Sequence, residues 1–462
     1  MPSKKLRVHF IGIGGIGVSA LAQYYLAKGH KVSGSDLVSS EIIGVLRKKG
    51  VKIFINSKLK SQKSKIQAKI QNFIKKSNLV IYSPAVPKNH PELIKAKQLK
   101  IKSLSYPQAL GELTKTHFTI AVSGTHGKST TTAMVGLLLV KAGLDPTVIV
   151  GTKIKEFGNS NCRVGKSQYL VIEADEHFAS FLNYWPRIIV LTTIEKDHLD
   201  YYKNLNNILR TFKRYIAHLP KNGWLVVNKD DKNTNSKLQI PNYKFQIKKY
   251  SLKQPEAKKL KKILKIPGEH NVSNALATLT VARILEIPDK ISFKALSEYK
   301  GSWRRFEEKI CYIPNTRYKI RVISDYGHHP TEIRVTLKAA REKYPKKKIW
   351  CVYQPHQYQR TFYLFNDFLK VFKQAPVNKL IITDIYDVAG REEKTIKKKI
   401  SSEKLVKKIN KPWVVYLPKN KIINYLKKNL RSGYALIIMG AGDIYTLVDY
   451  LCLTEKKKRK KI

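Results

Sequence analysis

Apolar and polar positions alternate along this chain in blocks that predict strand, loop and helix in regular succession. Residues 6–11, LRVHFI, are β-branched and aromatic enough for a buried strand. A glycine-crowded loop follows, then VSALAQYYLAKGH, a helix ending near Gly29, then KVSGSD as a second strand. NLVIYSPAV at 78–86 reads as another strand. The pattern restarts with HFTIAVS at 117–123, the loop GTHGKS and the helix TTTAMVGLLLVKAG. Further strands are predicted at 169–173, 187–193 and 224–228, and helices at 206–219 and 270–285. After Gly301 come strands at 320–324, 349–353, 379–383 and 434–439, with helices over 331–344 and 362–375 between them. Residues 232–266 are lysine-rich and carry no readable motif, and the tail EKKKRKKI is expected to be a solvated charge run.

Strand–helix alternation predicts an α/β fold with parallel sheets. At about 150 residues per domain, 462 residues suggest three domains. We place them at 1–115, a Rossmann-like doubly wound sheet; 116–300, a P-loop ATPase domain; and 301–462, a second Rossmann-like domain. No window reaches the ~18 unbroken apolar residues of a membrane span. The basic start MPSKKLR before an apolar run resembles a signal peptide, but four glycines in that run suit a tight loop better.

Charge changes the picture only in part. Lys plus Arg number 88 and Asp plus Glu 33, a net of +55. Such a balance invites nucleic acid or polyanionic substrates. The lysines are spread over the whole length, however, and no basic patch interleaved with aromatics stands out, so no nucleic-acid partner is expected. The four cysteines, Cys162, Cys311, Cys351 and Cys452, form no CxxC pair. Neither zinc nor a disulfide framework is expected, and a reducing cytoplasm fits.

Five segments carry chemistry. Gly12, Gly14 and Gly17 form G-x-G-x-x-G, with Gly15 between them and Asp36 about 20 residues on. Glycines let the backbone approach a pyrophosphate at a helix N-terminus, and the acidic residue meets a ribose hydroxyl. The pattern does not distinguish a dinucleotide from a UDP-sugar. Gly124, Thr125, His126, Gly127, Lys128, Ser129 and Thr130 form a phosphate loop, although Val122 occupies the position where the strict motif has glycine. Lys128 would reach the terminal phosphates and Ser129 would ligate Mg²⁺. EADE at 173–176 ends a strand, where Glu173 could hold Mg²⁺. DHLD at 197–200 offers His198 as a second ligand or as a merely structural histidine. DYGHHPTE at 325–332 and QPHQYQRT at 354–361 gather His, Arg and Asp on strand-end loops, which suits anionic groups or ordinary loop packing equally.

Together these segments resemble the Mur ligase family, as do YSPAVP (82–87), GEHNVSNALA (268–277), WRRF (303–306) and MGAGDI (439–444). The resemblance runs almost end to end and in order. It implies ATP-dependent ligation of an amine, L-alanine, to the lactyl carboxylate of UDP-N-acetylmuramate through an acyl phosphate, with Mg²⁺, in the cytoplasm. Lys128 would then stabilise the transferring phosphate, with Glu173 and His198 beside it. Ser129, alone or with Thr130, would hold Mg²⁺ with Glu173 and His198. Asn271 would contact adenine, and Arg304 or Arg305, with Asp325, the nucleotide. His328, His329 and Arg360 would face the alanine and the muramyl carboxylate. Gly12 to Gly17, Asp36 and Ser83 would contact UDP. Three departures stand out: GKS where Thr is commoner, His177–Phe178 where Ser–Asp is usual, and DIYDVAGRE at 384–392. The alternative is a recycling ligase that attaches a whole tripeptide.

Overall fold

A computed structural model describes residues 5–56, 63–236, 238, 244–313, 318–388 and 393–452. The basic tail and residues 389–392 of the DIYDVAGRE segment lie outside the described residues. Three sheets follow one another along the chain, in the α/β arrangement the alternation predicts.

The first sheet contains β1 (Arg7–Ile11), β2 (Lys31–Asp36), β3 (Lys52–Ile55), β4 (Leu79–Tyr82) and β5 (Lys102–Ser105). Its order is β3-β2-β1-β4-β5 and every pairing is parallel. The second holds β6 (Phe118–Ser123), β7 (Thr147–Ile154), β8 (Ser160–Arg163), β9 (Tyr169–Glu173), β10 (Ile188–Leu191), β11 (Trp224–Asn228) and β12 (Gln246–Tyr250). Its order is β12-β11-β10-β6-β9-β7-β8, with only β7–β8 antiparallel. The third has β13 (Glu307–Tyr312), β14 (Lys319–Asp325), β15 (Ile349–Tyr353), β16 (Lys379–Ile382), β17 (Val414–Tyr416) and β18 (Ala435–Met439), in the order β13-β14-β18-β15-β16-β17.

The strands that pattern reading missed are mostly edge strands. β8 (SNCR) and β13 (EEKICY) are short or charged, because an edge buries little and its polarity discourages pairing with other chains. The central strands β6, β9, β10 and β18 are apolar runs buried on both faces, as parallel sheets require. Within the motif-poor stretch, β12 forms the other edge of the second sheet.

One expectation is corrected. Cys311 on β13 and Cys452 on the helix Thr446–Cys452 form a disulfide with Cα atoms 4.9 Å apart. They are 141 residues apart in sequence, so no local spacing announces the pair. Cys162 and Cys351 are buried and free.

The sheets are joined in two different ways. One apolar cluster runs from Phe10, Leu21 and Leu110 of the first unit into Ile172, Phe181 and Phe212 of the second, making a shared core. The third sheet has its own clusters, around Tyr353 and Phe372 on one face, with Leu199 of the second unit packed against it, and around Ile422 and Leu436 on the other. Polar contacts cross from the second to the third, including Thr152 Oγ1 donating to the Trp303 carbonyl at 2.9 Å.

Gly111 sits in the apolar joint, on helix Tyr106–Thr116, where a Cβ would lie 2.3 Å from the Asn183 carbonyl oxygen. Overpacking of this kind costs about 1–3 kcal/mol. Gly111→Ala is expected to lower the thermal midpoint; an unchanged melting curve would show that the joint yields freely.

Candidate active site

The chemistry-bearing loops converge because each leaves the C-terminal end of a parallel strand, where open α/β sheets form their ligand crevices. GTHGKS follows β6, Glu173 ends β9, His198 follows β10, Asp325 ends β14, and Gln354 to Arg360 follow β15. Three cavities result, of about 410, 250 and 240 Å³. The first and second share Ser129, Glu173 and Arg305, and the second and third share Gly127, Arg305 and Glu332. They form a continuous cleft across all three units.

At its centre, Gly124 and Gly127 have φ of +125° and +84°. A Cβ at Gly124 would lie 2.2 Å from Thr192 Oγ1, and one at Gly127 would lie 2.5 Å from Asn274 Oδ1, so only glycine fits. Gly127 caps helix Lys128–Lys141, aiming the helix N-terminus into the cleft. Lys128 Nζ donates to the Gly124 carbonyl at 2.7 Å and to Glu176 Oε2 at 2.8 Å. Burial pushes the Glu176 carboxyl up to about 7, against the pull of Lys128. The crowded cleft partly desolvates Asp175, which works against its charge, but Lys128 and His198 hold its carboxyl below the usual carboxylate range.

Ser129 Oγ donates to Glu173 Oε1 at 2.9 Å, and the Gly151 N–H donates to Glu173 Oε2 at 2.8 Å. A hydroxyl and a carboxylate this close beside a phosphate loop suit Mg²⁺, which prefers oxygen ligands and phosphate. His198 lines the same cavity, and its ring nitrogen lies within 4.8 Å of carboxylate oxygens of Asp175 and Glu176. The sequence reading named EADE but singled out only its first residue; closeness to Lys128 and His198 marks the exposed Asp175 and the buried Glu176. His177 stacks on His198 with ring centroids 4.1 Å apart, and Phe178 stacks on His177 at the same distance. Phe178 and Ala179 both have φ of 53°, a strained pair of residues beside the cleft.

In the 410 Å³ cavity the structure brings together Gly15, Gly17 and Ser83 of the first unit. Asp36 does not line it: its carboxylate accepts the Gly14 N–H at 2.8 Å and the Leu37 N–H at 2.7 Å, tying the glycine loop to β2. Gly12, at φ +75°, and Gly14 shape that loop from behind. Tyr106, absent from the sequence reading, packs so tightly on Gly17 that a Cβ there would lie 2.6 Å from its ring.

The 240 Å³ cavity holds Thr130, His270, Asn271 and Asp325. Asn271 Nδ2 donates to the Pro267 carbonyl at 2.7 Å. Asp325 accepts N–H bonds from Phe306 and Gly327, both at 2.8 Å, so its oxygens hold the loop as well as lining the cavity. Of the two arginines, Arg305 faces the cleft, 3.5 Å from Ser129 Oγ. Arg304 is buried elsewhere, among Trp303, Tyr326 and Tyr445, donating to the carbonyls of Gly440 and Gly442.

His328 and Arg360 line the 250 Å³ cavity with Lys128, together with His356 and Gln357. Arg360 Nε donates to Asp197 Oδ1 at 3.0 Å, both side chains buried. Burial disfavours the Asp197 charge, but Arg360 holds the carboxyl well below the usual range. His329 is turned out of this cavity: its Nε2 lies 3.0 Å from the Lys196 carbonyl, and it lines a separate cavity of about 400 Å³. His126 lies between Glu332 (3.3 Å) and Glu195 (3.5 Å). Burial opposes its charge, yet the two carboxylates raise its pKa to about 10.

Sequence comparison agrees with this architecture. Three Mur ligase profiles match in order: "Mur ligase family, catalytic domain" over 7–118, "Mur ligase middle domain" over 122–282, and "Mur ligase, glutamate ligase domain" over 304–442. The chain belongs to the Mur ligase family, a family of ATP-dependent ligases. It is 40% identical over 469 residues to the UDP-N-acetylmuramate–L-alanine ligase of Acetivibrio thermocellus, covering 96% of this chain and 95% of that one. It is 38% identical over 465 residues to the enzyme of the same name from Clostridium acetobutylicum, covering 96% of each. Among solved structures, the UDP-N-acetylmuramate–alanine ligase of Thermotoga maritima superposes with a TM-score of 0.75 at 26% identity, covering 98% of this chain and 100% of that one.

Burial gives a sign for the pH response. It lowers the pKa of His270 and His328 to about 4, of His198 to about 3 and of His356 to about 2, from 6.5. Below 6.5 the unfolded chain takes up protons that the folded chain refuses, so stability falls with falling pH over that window. His126 acts oppositely, its contribution complete below 6.5 and fading as pH rises towards about 10. Glu176, raised to about 7, also favours the fold as pH falls, but one carboxyl does not outweigh four imidazoles. The thermal midpoint is therefore expected to drop between about pH 6.5 and about pH 4. A midpoint that stays level across that range would contradict neutral buried imidazoles.

Proposed function

We propose that this chain ligates L-alanine to the lactyl carboxylate of UDP-N-acetylmuramate, converting ATP to ADP and phosphate, as an early cytoplasmic step of peptidoglycan synthesis. The observation that carries this is the continuous cleft. It joins a glycine loop suited to a nucleotide sugar, a phosphate loop with its lysine, and a third unit that supplies Arg305, His328 and Arg360.

ATP lies with its adenosine in the 240 Å³ cavity, beside Asn271, and its phosphates on the amides of 124–130. The nucleotide sugar enters from Gly15, Gly17 and Ser83 and points its carboxylate towards Lys128. A carboxylate oxygen attacks the γ-phosphorus, the bond to the β-phosphate bridging oxygen breaks, and an acyl phosphate forms as ADP is released. The neutral amine of alanine then adds to the acyl carbon and loses a proton, and phosphate departs with its C–O bonding pair. Lys128 leaves Glu176 for the transferring phosphoryl group, whose charge it offsets, while Arg305 approaches from the third unit. Mg²⁺, when bound, neutralises phosphate charge, and Ser129, Glu173 and His198 are the residues to hold it. Exclusion of water by the third unit protects the acyl phosphate from hydrolysis.

The test is phosphate release from Mg-ATP and UDP-N-acetylmuramate, with and without L-alanine, with mass spectrometry of the product. Release that requires all three components and yields the alanyl product is expected. Release with the L-alanyl-γ-D-glutamyl-diaminoacyl tripeptide but not with alanine would move the assignment to a recycling ligase. Lys128→Ala is expected to cut kcat by ~10²–10³-fold. Near-normal turnover in that variant would remove Lys128 from phosphoryl transfer.

A further inference from the structure

Beside the phosphate loop, the seam between the second and third units gathers a second set of metal-ligating groups. His126 and Glu195 come from the second unit and His329 from the third. Their ligand atoms lie within 4.8 Å of one another. Glu195 Oε2 is 3.5 Å from His126 Nε2 and 3.9 Å from His329 Nδ1. A tetrahedral ion with bonds of 2.0–2.1 Å sets its ligands about 3.3 Å apart, so small movements would complete such a site.

Two further observations point to a ligand. His126 Nε2 is a buried ring nitrogen that makes no well-formed hydrogen bond, its nearest partner being Glu195 Oε2 at 3.5 Å. The groups that orient metal-bound imidazoles are also in place. His126 Nδ1 meets Glu332 at 3.3 Å. His329 Nε2 lies 3.0 Å from the Lys196 carbonyl, so that nitrogen carries the proton and Nδ1 keeps its lone pair. That lone pair accepts only a 3.3 Å bond from the Thr331 N–H. Glu195 Oε2 is steadied by Thr331 Oγ1 at 2.6 Å. Glu195 and His329 also line the 400 Å³ cavity, which gives an entry path and a position for water.

We propose that His126, Glu195 and His329 bind one divalent transition ion of the zinc class, which ties the third unit to the phosphate loop. Two imidazoles and one carboxylate favour such an ion over Mg²⁺, which prefers oxygen. An ion bound at His126 Nε2 offsets the charge of Glu195 and the nearby Glu332, and any proton on that nitrogen leaves to solvent. Since the ligands come from two units, binding selects the arrangement in which those units meet.

The test uses Co²⁺ as the probe, titrated into the full chain after chelator dialysis and followed by visible absorption. One equivalent giving the intense bands of a four- or five-coordinate ion is expected. Glu195→Gln keeps the bond to Thr331, and His329→Asn keeps a good N-cap for helix Pro330–Lys343, so both variants should fold. Each is expected to weaken that binding by ~100-fold or more. His198→Asn, which alters the neighbouring candidate Mg²⁺ ligand, is expected to retain it. No intense band, a band that survives in either of the first two variants, or one lost only in His198→Asn would overturn the proposal. X-ray absorption of the zinc-loaded wild-type chain reads the ligands without any variant: two imidazoles support the site, and an all-oxygen shell refutes it.

Discussion

Mutual compensation of buried charge organises this molecule. Acidic residues number 33 against 88 basic ones, yet carboxylates concentrate where the cleft is deepest. Asp197 pairs with Arg360, Glu176 with Lys128, and Glu195 and Glu332 flank His126. Removing one partner of a buried pair leaves the other uncompensated, at a cost of roughly 3–5 kcal/mol. The pairs therefore constrain which loops can approach one another.

Those pairs also explain why the joints between units differ. Between the first and second units a shared apolar core contributes through area, without direction, and makes the two one body. Between the second and third the contacts are directional: Arg360 to Asp197, His126 to Glu332, Thr331 to Glu195. Polar interfaces of this kind let units part and meet again. A seam of contacts that can be remade is the one that closure over a bound substrate would use.

The placement of much of the candidate site is legible in the sequence. The glycine loop, Lys128, Ser129 and Glu173 stand where strand-to-helix turns place them, because local backbone geometry demands those residue types at those spacings. What local sequence could not convey was direction. Arg304 and Arg305 are adjacent, yet one is enclosed by aromatic rings and the other faces the phosphate loop. His328 and His329 diverge likewise, the second serving as a helix N-cap. Asp36 binds amides of its own loop, and Tyr106 reaches the cleft by packing on Gly17.

The sequence by itself determined the central strands, most of the long helices, the order of three α/β units and the glycine-marked turns. Apolar periodicity and glycine placement are local properties, and parallel strands send their turns to one end. The tertiary structure decided which strands form the edges, which carboxylate meets which cation, and that Cys311 reaches Cys452 across 141 residues. Those outcomes depend on distances between segments far apart in the chain. Such distances are set by how whole sheets pack, and no single stretch of residues encodes them.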